Sequence, residues 1–254
     1  MTERLEGALR GLRENGRKAF VPYVTAGLPG VDAGLLRRLE EMGADAVEIG
    51  IPFSDPMMDG PVIQEASRRA LEAGSTPEAA LSLVGEARLG IPVVVMTYVN
   101  PVLAYEAFVR DAVASGVAGV IVPDLPVDEA GPWVGRCREA GISSVFLAAP
   151  NSTADRLAMV ADASRGFVYC VAALGVTGSR QTLAMSAIAL VEALRPLTDR
   201  PLLMGVGIST PEQAAEACGF ADGVVVGSAL VEPLLEGDVD EALRRTEAFR
   251  RACR

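Results

Sequence analysis

The chain has 254 residues, half of them hydrophobic and few aromatic, with 26 glycines and 16 prolines. This length and composition suit one domain, residues 1–254, built around a large core. Acidic residues outnumber basic ones by 33 to 23, and the net charge of −10 is not gathered in any block, which argues against nucleic acid or an anionic membrane as a partner.

In chain order, residues 2–16 predict an N-terminal helix, after which short β-branched runs alternate with longer segments of helical period. The runs predict strands at residues 19–25, 45–51, 92–98, 119–124, 144–149, 167–172, 201–206 and 223–228. The longer segments predict helices at residues 32–42, 61–73, 77–89, 104–115, 127–140, 153–163, 185–195 and 210–219, with a closing pair from about residue 229.

Repeated strand–helix units of this kind imply a parallel sheet with helices on its outer face. Eight units in a chain of this length predict an α/β fold, a single (β/α)8 TIM barrel with an extra N-terminal helix. A doubly wound open sheet is the alternative, but no Gly-x-Gly-x-x-Gly follows the first strand.

The sequence restricts the chemistry of any site, because it contains no histidine and only one lysine, Lys18. A histidine-ligated metal and a Ser-His-Asp triad are therefore excluded, and Lys18 precedes the first strand, at the wrong end of a barrel for imine chemistry. The four cysteines show no paired spacing, so neither a zinc site nor a disulfide framework is indicated. Proton transfer is left to Asp, Glu, Tyr or Cys.

The second predicted strand contains an acid in an apolar run. Alternation along DAVEIGI turns Glu48 into the barrel near its catalytic end, where burial raises the pKa of a carboxyl group. A buried ion pair with an arginine is the structural alternative. Asp59 follows on the same loop and is either a second active-site carboxylate or a turn or helix-cap residue.

Near the end of the chain, the seventh and eighth strands each run into glycine and then a helix start, in LLMGVGIST from Leu202 and VVVGSAL from Val224. Many barrels bind a phosphate through backbone N–H groups at these two loops. A third segment, ALGVTGSRQT from Ala173, is placed to close over a ligand. The residues alone therefore predict an enzyme that acts on a small phosphorylated molecule with carboxylates.

Several segments, in this order, resemble the tryptophan synthase alpha subunit family: FVPYVTAGLPG, EIGIPFSDPMMDGPVIQ, TYVNPV, VPDLPVDE, LGVTGSR, GVGISTPEQ and GSALV. The resemblance covers essentially the whole chain. It implies a (β/α)8 barrel that cleaves indole-3-glycerol phosphate to indole and glyceraldehyde 3-phosphate, a carbon–carbon lyase of tryptophan biosynthesis, without a cofactor or metal in this chain.

The resemblance also assigns residues. Glu48 would be the general acid/base, Asp59 would hold the indole N–H, and the family tyrosine lining the substrate site corresponds to Tyr169. The phosphate would be bound by Gly178, Gly207, Gly227 and Ser228, and the indole pocket and closing loop would be formed by Tyr23, Met96, Tyr98 and Thr177. The chain departs from the family at Val206, where some relatives carry a larger side chain.

Finally, the resemblance implies an α2β2 heterotetramer, with pyridoxal phosphate only in the partner beta subunit. The acidic, polar first residues, MTERLEG, are not signal-like, and a cytoplasmic protein is expected. The contact would be made by Asp55, Met57, Met58 and Asn100, with the loop from Leu174. The alternatives are a stand-alone lyase, a barrel that has lost catalysis and only activates its partner, and another phosphate-binding barrel enzyme. The apolar runs are too short to span a bilayer.

Overall fold

The computed structural model describes residues 2–171 and 180–254, and its strands form a closed parallel barrel in the order β1 to β8. The strands are β1 (Ala19–Thr25), β2 (Val47–Gly50), β3 (Val93–Met96), β4 (Val117–Ile121), β5 (Ser143–Ala148), β6 (Val168–Val171), β7 (Leu202–Gly205) and β8 (Gly223–Val226). Each of the eight predicted strands is present, and the barrel prediction is confirmed. Pairing of β1 with β8 closes the sheet, so the doubly wound alternative is wrong.

Helices surround the barrel. Their bounds are α1 (Thr2–Glu14), α2 (Ala33–Glu41), α3 (Pro61–Glu72), α4 (Pro77–Ala87), α5 (Val99–Ala104), α6 (Phe108–Ala114), α7 (Gly131–Ala140), α8 (Ala154–Ala163), α9 (Arg180–Leu194), α10 (Pro211–Cys218), α11 (Ser228–Leu235) and α12 (Val239–Ala252). A short 3-10 turn, Arg195–Leu197, follows α9. No helix in the described ranges is long and apolar enough to cross a membrane.

Two predicted helices differ from the structure. The segment predicted at residues 104–115 is α6 alone, and it is preceded by the separate helix α5, which the sequence did not predict. Asp124, in the loop after β4, caps α5 by accepting a hydrogen bond from the Val99 amide at 2.9 Å. Because this cap comes from a distant part of the chain, no local pattern announces the helix. The helix predicted at 185–195 instead begins at Arg180.

The helix α1 packs across the N-terminal end of the barrel. Its leucines Leu5 and Leu9 are buried. A Cβ added to Gly119 or Gly166 would meet the Leu5 side chain at 2.8 or 2.6 Å, so these two glycines leave the space that Leu5 fills. The extra N-terminal helix therefore closes the end of the barrel opposite the catalytic end of the strands.

Two carboxylates with little exposure to solvent fix the starts of the strands at the same end. Asp45 accepts a hydrogen bond from the Phe20 amide at 3.0 Å and pairs with Arg250 at 3.3 Å. Asp222 likewise accepts from the Leu202 amide at 2.8 Å. Each carboxylate joins neighbouring strands, which holds the barrel in register below the site.

Candidate active site

Glu48 lies at the centre of the candidate site, in β2, with its side chain 1% exposed. Its neighbours in register are Tyr23 of β1 and Val94 of β3. Among the described residues, Oε2 of Glu48 is buried and has no hydrogen-bond partner. The predicted burial of Glu48 is confirmed. The alternative of an ion pair with an arginine is wrong for the described part of the chain, where no arginine contacts this carboxyl.

Burial is the main cause that raises the pKa of Glu48 to about 8, and the nearby carboxylate of Asp59 contributes to the same rise. A buried carboxylate that has no hydrogen-bond donors lacks the solvation it would have in water. The protonated form of the group is therefore favoured. At neutral pH, Glu48 is therefore mainly protonated. It can donate a proton and then act as a base, as catalysis near pH 7 requires.

Asp59 lies in the loop between β2 and α3, in a turn closed by the hydrogen bond from its own amide to the Pro56 carbonyl at 3.0 Å. The helix α3 has Gly60 as its N-cap and receives no side-chain cap. Asp59 is thus not a helix cap, which removes that alternative. Burial is the main cause that raises the pKa of its carboxyl group to about 6, and the Tyr98 side chain acts in the opposite direction.

Tyr98 ties this loop to the end of β3. Its buried hydroxyl accepts a hydrogen bond from the Met58 amide at 3.0 Å, and its ring stacks on Phe53 with centroids 5.1 Å apart. Burial is the main cause that raises the pKa of Tyr98, with the charge of Asp59 second, so this phenol keeps its proton. Phe53 was not predicted as a site residue. Its position five residues after Glu48, in the same loop, was the available signal.

Two further tyrosines, Tyr23 of β1 and Tyr169 of β6, lie beside Glu48. Burial raises the pKa of each well above its ordinary value, and the charge of Glu48 acts in the same direction. A Cβ added to Gly50 would lie 1.9 Å from the Tyr23 hydroxyl, and one added to Gly205 would lie 2.2 Å from the Tyr169 hydroxyl. Each tyrosine therefore occupies the space over a glycine of the next strand. Sequence reasoning did not identify Gly50 and Gly205.

The loops after β7 and β8 differ in how their helix N-termini are capped. At α10 the Thr210 and Gln213 side chains form a reciprocal capping box, which occupies backbone donors. At α11 the N-cap is Gly227, with no side-chain cap, and Ser228 is exposed at the first helical position. The uncapped terminus is the one better suited to an anion.

Val206 and Gly207, which follow β7, both have left-handed backbone conformations, with φ of 60° and 87°. For a β-branched residue this conformation is strained, and such strain concentrates at functional loops. Met96, the last residue of β3, is half-buried and pairs in register with Gly50. The predicted residues Gly178 and Thr177, with the loop from Leu174, lie outside the described residues.

The four residues predicted to face a partner are all exposed: Asp55, Met57, Met58 and Asn100. Met57 is 86% exposed and Met58 49% exposed, although both are apolar. They project from the loop whose backbone is bound to Tyr98. Among the described residues, no group of three or more Asp, Glu or Cys side chains is arranged to hold a metal ion.

Comparison with known proteins identifies the family. The family described as tryptophan synthase alpha chain matches residues 9–253. The chain belongs to this family. The tryptophan synthase alpha chain of Thermobifida fusca is 44% identical over 255 residues, covering 96% of this chain and 94% of the relative. That of Geobacter sp. strain M21 is 46% identical over 235 residues, covering 90% and 88%.

Solved structures agree with this assignment. Tryptophan synthase from Mycobacterium tuberculosis in space group F222 matches with a TM-score of 0.90 at 40% identity, covering 99% of this chain and 98% of that one. Tryptophan synthase subunit alpha from Legionella pneumophila str. Paris matches with a TM-score of 0.89 at 33% identity, covering 98% of each chain. The tryptophan synthase alpha chain family acts in tryptophan biosynthesis and cleaves indole-3-glycerol phosphate, and the lyase prediction is confirmed at this level.

Proposed function

We propose that this chain cleaves indole-3-glycerol phosphate by a retro-aldol reaction in which Glu48 is the general acid/base. The observation that carries the proposal is the buried, unpartnered Glu48 carboxyl, with its pKa near 8, inside a barrel of the tryptophan synthase alpha chain family. Glu48 donates its proton to the indole ring carbon that leaves. The resulting carboxylate takes the proton of the glycerol hydroxyl as the carbon–carbon bond breaks.

Asp59 would accept a hydrogen bond from the indole N–H. Because its pKa is about 6, Asp59 is mainly ionised at neutral pH while Glu48 is mainly protonated. The two carboxyl groups thus have the different charge states that the two roles require. The ionised Asp59 stabilises the positive charge that develops on the protonated indole, which serves as the electron sink in place of an imine. No cofactor or metal in this chain takes part in this scheme.

The aromatic residues would bind the indole ring and the loops would bind the phosphate. Tyr169 and Tyr23 retain their protons near Glu48, and Tyr98 retains its proton near Asp59. Met96 ends the neighbouring strand β3. Backbone donors at Gly207 and at the uncapped start of α11, formed by Gly227 and Ser228, would hold the phosphate. Gly178 and Thr177 are proposed for the same site by resemblance alone.

We further propose that the exposed loop binds a tryptophan synthase beta subunit in an α2β2 assembly, with pyridoxal phosphate in that partner. Met57 and Met58 form an apolar projection that a partner would cover, and Asp55 and Asn100 would supply polar contacts. The same loop carries Asp59, so partner binding would act directly on a catalytic group.

An assay of indole release tests the catalytic proposal. The chain is expected to release indole from indole-3-glycerol phosphate, and Glu48→Gln is expected to lose activity by a factor of about 10² to 10⁴ or more. Wild-type activity that survives in Glu48→Gln would contradict the assigned role. A wild type with no activity, alone or with the beta subunit, would instead support the non-catalytic alternative.

The partner proposal is tested by chromatography with the beta subunit. Met57→Asp is expected to weaken the complex, whereas Met159→Asp, at a methionine on α8 that is 42% exposed, is the matched control and should leave it intact. Absence of a complex would overturn the partner proposal. Indole release that does not increase on adding the beta subunit would favour the stand-alone lyase.

A further inference from the structure

Two neighbouring cavities open beside α1, at the end of the barrel opposite the catalytic ends of the strands. The first, of about 370 Å³, lies between α1 and the segment that connects α9 to β7. The second, of about 500 Å³, lies between α1, α7 and the starts of β5 and β6. Glu6 and Arg10 of α1 line both cavities, so the two share a wall. Both volumes are typical of small-molecule sites.

Arginine side chains dominate the walls of these cavities. Two carboxylates, Glu6 and Asp199, face five arginines: Arg10, Arg138, Arg165, Arg195 and Arg200. The described lining is therefore positively charged, although the chain as a whole carries a net charge of −10. A charge opposite to that of the rest of the molecule favours an anion at this place.

The carboxylate of Glu6 does not satisfy the arginines around it. It pairs with Arg10 and, at 3.6 Å, with Arg200, and it also accepts a hydrogen bond from the Gly166 amide at 3.3 Å. Among the described residues, the Nε atoms of Arg10 and Arg200 are nevertheless buried without a hydrogen-bond partner. Buried donors without an acceptor are costly, and both arginines line the first cavity. An anion bound there would supply the acceptors.

The second cavity contains positive charge that no described carboxylate balances. Arg165 donates to the backbone carbonyls of Asp162 and Ser164, at 2.6 and 2.7 Å. Arg138 is exposed and makes neither a hydrogen bond nor an ion pair within the described ranges. Burial is the main cause that lowers the pKa of Arg200, and the charge of Arg165 acts in the same direction. The arginines of the two cavities thus repel one another.

The second cavity also has an apolar side. Val134 of α7 and the buried Ile142 line it beside Arg138 and Arg165. A ring can pack on such a wall, and a guanidinium group can stack on the ring as well as bind phosphate. The cavities are too small for a macromolecule, and the net charge of −10 opposes nucleic acid or an anionic membrane. A small molecule with both a ring and several negative charges fits these features.

We propose that the two cavities together bind a small organic phosphate, with a chain of phosphoryl groups and a ring, as in a nucleoside triphosphate. The phosphoryl groups would lie against Arg10 and Arg200, since guanidinium forks match phosphate oxygens. The ring would pack on Val134 and Ile142, and Arg138 would supply a further cation. The ligand would join α1 to the segments before β6 and β7, and would thereby fasten the helix that closes this end of the barrel.

Titration calorimetry of the full-length chain with ATP, in the absence of a metal ion, tests the site. One ATP should bind per chain, and its affinity should fall as KCl is raised from about 50 mM to about 200 mM. The thermal midpoint should rise with ATP concentration, because the ligand binds the folded state. Pyrophosphate should bind more weakly than ATP, since it does not reach the apolar wall. Equal affinities would overturn the assignment to an organic phosphate.

Arg138→Gln is the decisive variant, because this exposed side chain has no described partner to lose and the fold should be unaffected. It should weaken ATP binding about tenfold, the usual cost of one charge-assisted contact. Arg13→Gln is the matched control: Arg13 lies on α1, one turn after Arg10, and lines neither cavity. It should bind ATP as the wild type does.

Two results would overturn the proposal. One is the absence of ATP binding by the wild type. The other is binding that Arg138→Gln and Arg10→Gln both retain in full, because the ATP would then lie elsewhere, for example at the start of α11. Neither result bears on the role of Glu48, since the indole-release assay is independent of these cavities.

Discussion

Replacing Glu48 by glutamine should stabilise the folded chain, and the gain should grow with pH. The folded state holds the Glu48 pKa at about 8 against an ordinary value of 4.5. Between these two values the unfolded chain releases the proton while the folded barrel keeps it. Wild-type stability is therefore lost as the pH rises from the unfolded pKa through the folded one. Glutamine has nearly the same shape but does not titrate, so the variant escapes this loss.

The magnitude follows from the same two values. Each pKa unit corresponds to about 1.4 kcal/mol, so the rise from 4.5 to about 8 amounts to a destabilisation of up to about 5 kcal/mol once Glu48 is ionised in both states. That is a large part of the total stability of a typical domain. At a pH near the unfolded value, the wild type and Glu48→Gln should differ by far less.

Urea unfolding at about pH 5.5 and about pH 8.5 measures the effect. The free energy of unfolding of Glu48→Gln minus that of the wild type should increase between the two conditions. Glu65→Gln is the matched control: Arg68 and Arg69 hold the pKa of exposed Glu65 at about 2, so its titration is complete below this window. An equal difference for Glu48→Gln at both pH values would refute the reasoning, because Glu48 would then be ionised in the barrel at pH 5.5.

Three other predictions concern two residues with left-handed backbone conformations and the glycine that lies under Tyr169. Val206→Gly should raise the free energy of unfolding by about 1 kcal/mol, because Val206 is exposed and holds a left-handed conformation that glycine adopts without strain, and urea unfolding should show it. Arg88→Gly should stabilise the folded chain by about 1 kcal/mol, because Arg88 ends α4 in a left-handed conformation, with φ of 50°, that glycine adopts more easily. An unchanged or lowered urea midpoint would contradict this prediction. In Gly205→Ala the added methyl group should collide with Tyr169. The substitution should lower the free energy of unfolding by about 1–3 kcal/mol and should also reduce indole release. Gly135→Ala is the control, because a Cβ there meets open space, and it should cause neither loss.

The barrel was predictable because each strand carries its own signal. Short β-branched runs alternated with helical segments, and their number and spacing left the closed barrel as the natural parallel arrangement. The helix α5 was missed because the residue that caps it, Asp124, comes from another loop of the chain. That residues 1–254 form a single domain stays a prediction.

In the site, the direction of Glu48 was predictable from strand alternation, but its lack of a partner was not. Which donors surround a buried group depends on all eight strands at once. The resemblance located Tyr23 and Tyr169 in the pocket, yet only the structure places each tyrosine over a glycine of the adjacent strand. The roles assigned to Asp59 and to the phosphate-binding glycines remain predictions.

Gly50 and Gly205 also limit how the site can evolve. At both positions a methyl group, the smallest side chain that an L-residue can add, would already overlap a tyrosine ring. Larger side chains cannot be introduced gradually at these positions, because even the change from glycine to alanine adds a group that does not fit. The side chains around Glu48 therefore cannot be enlarged one small step at a time at Gly50 or Gly205. New substrates would have to be accommodated by the loops after the strands, which can change in length and composition without displacing the tyrosines.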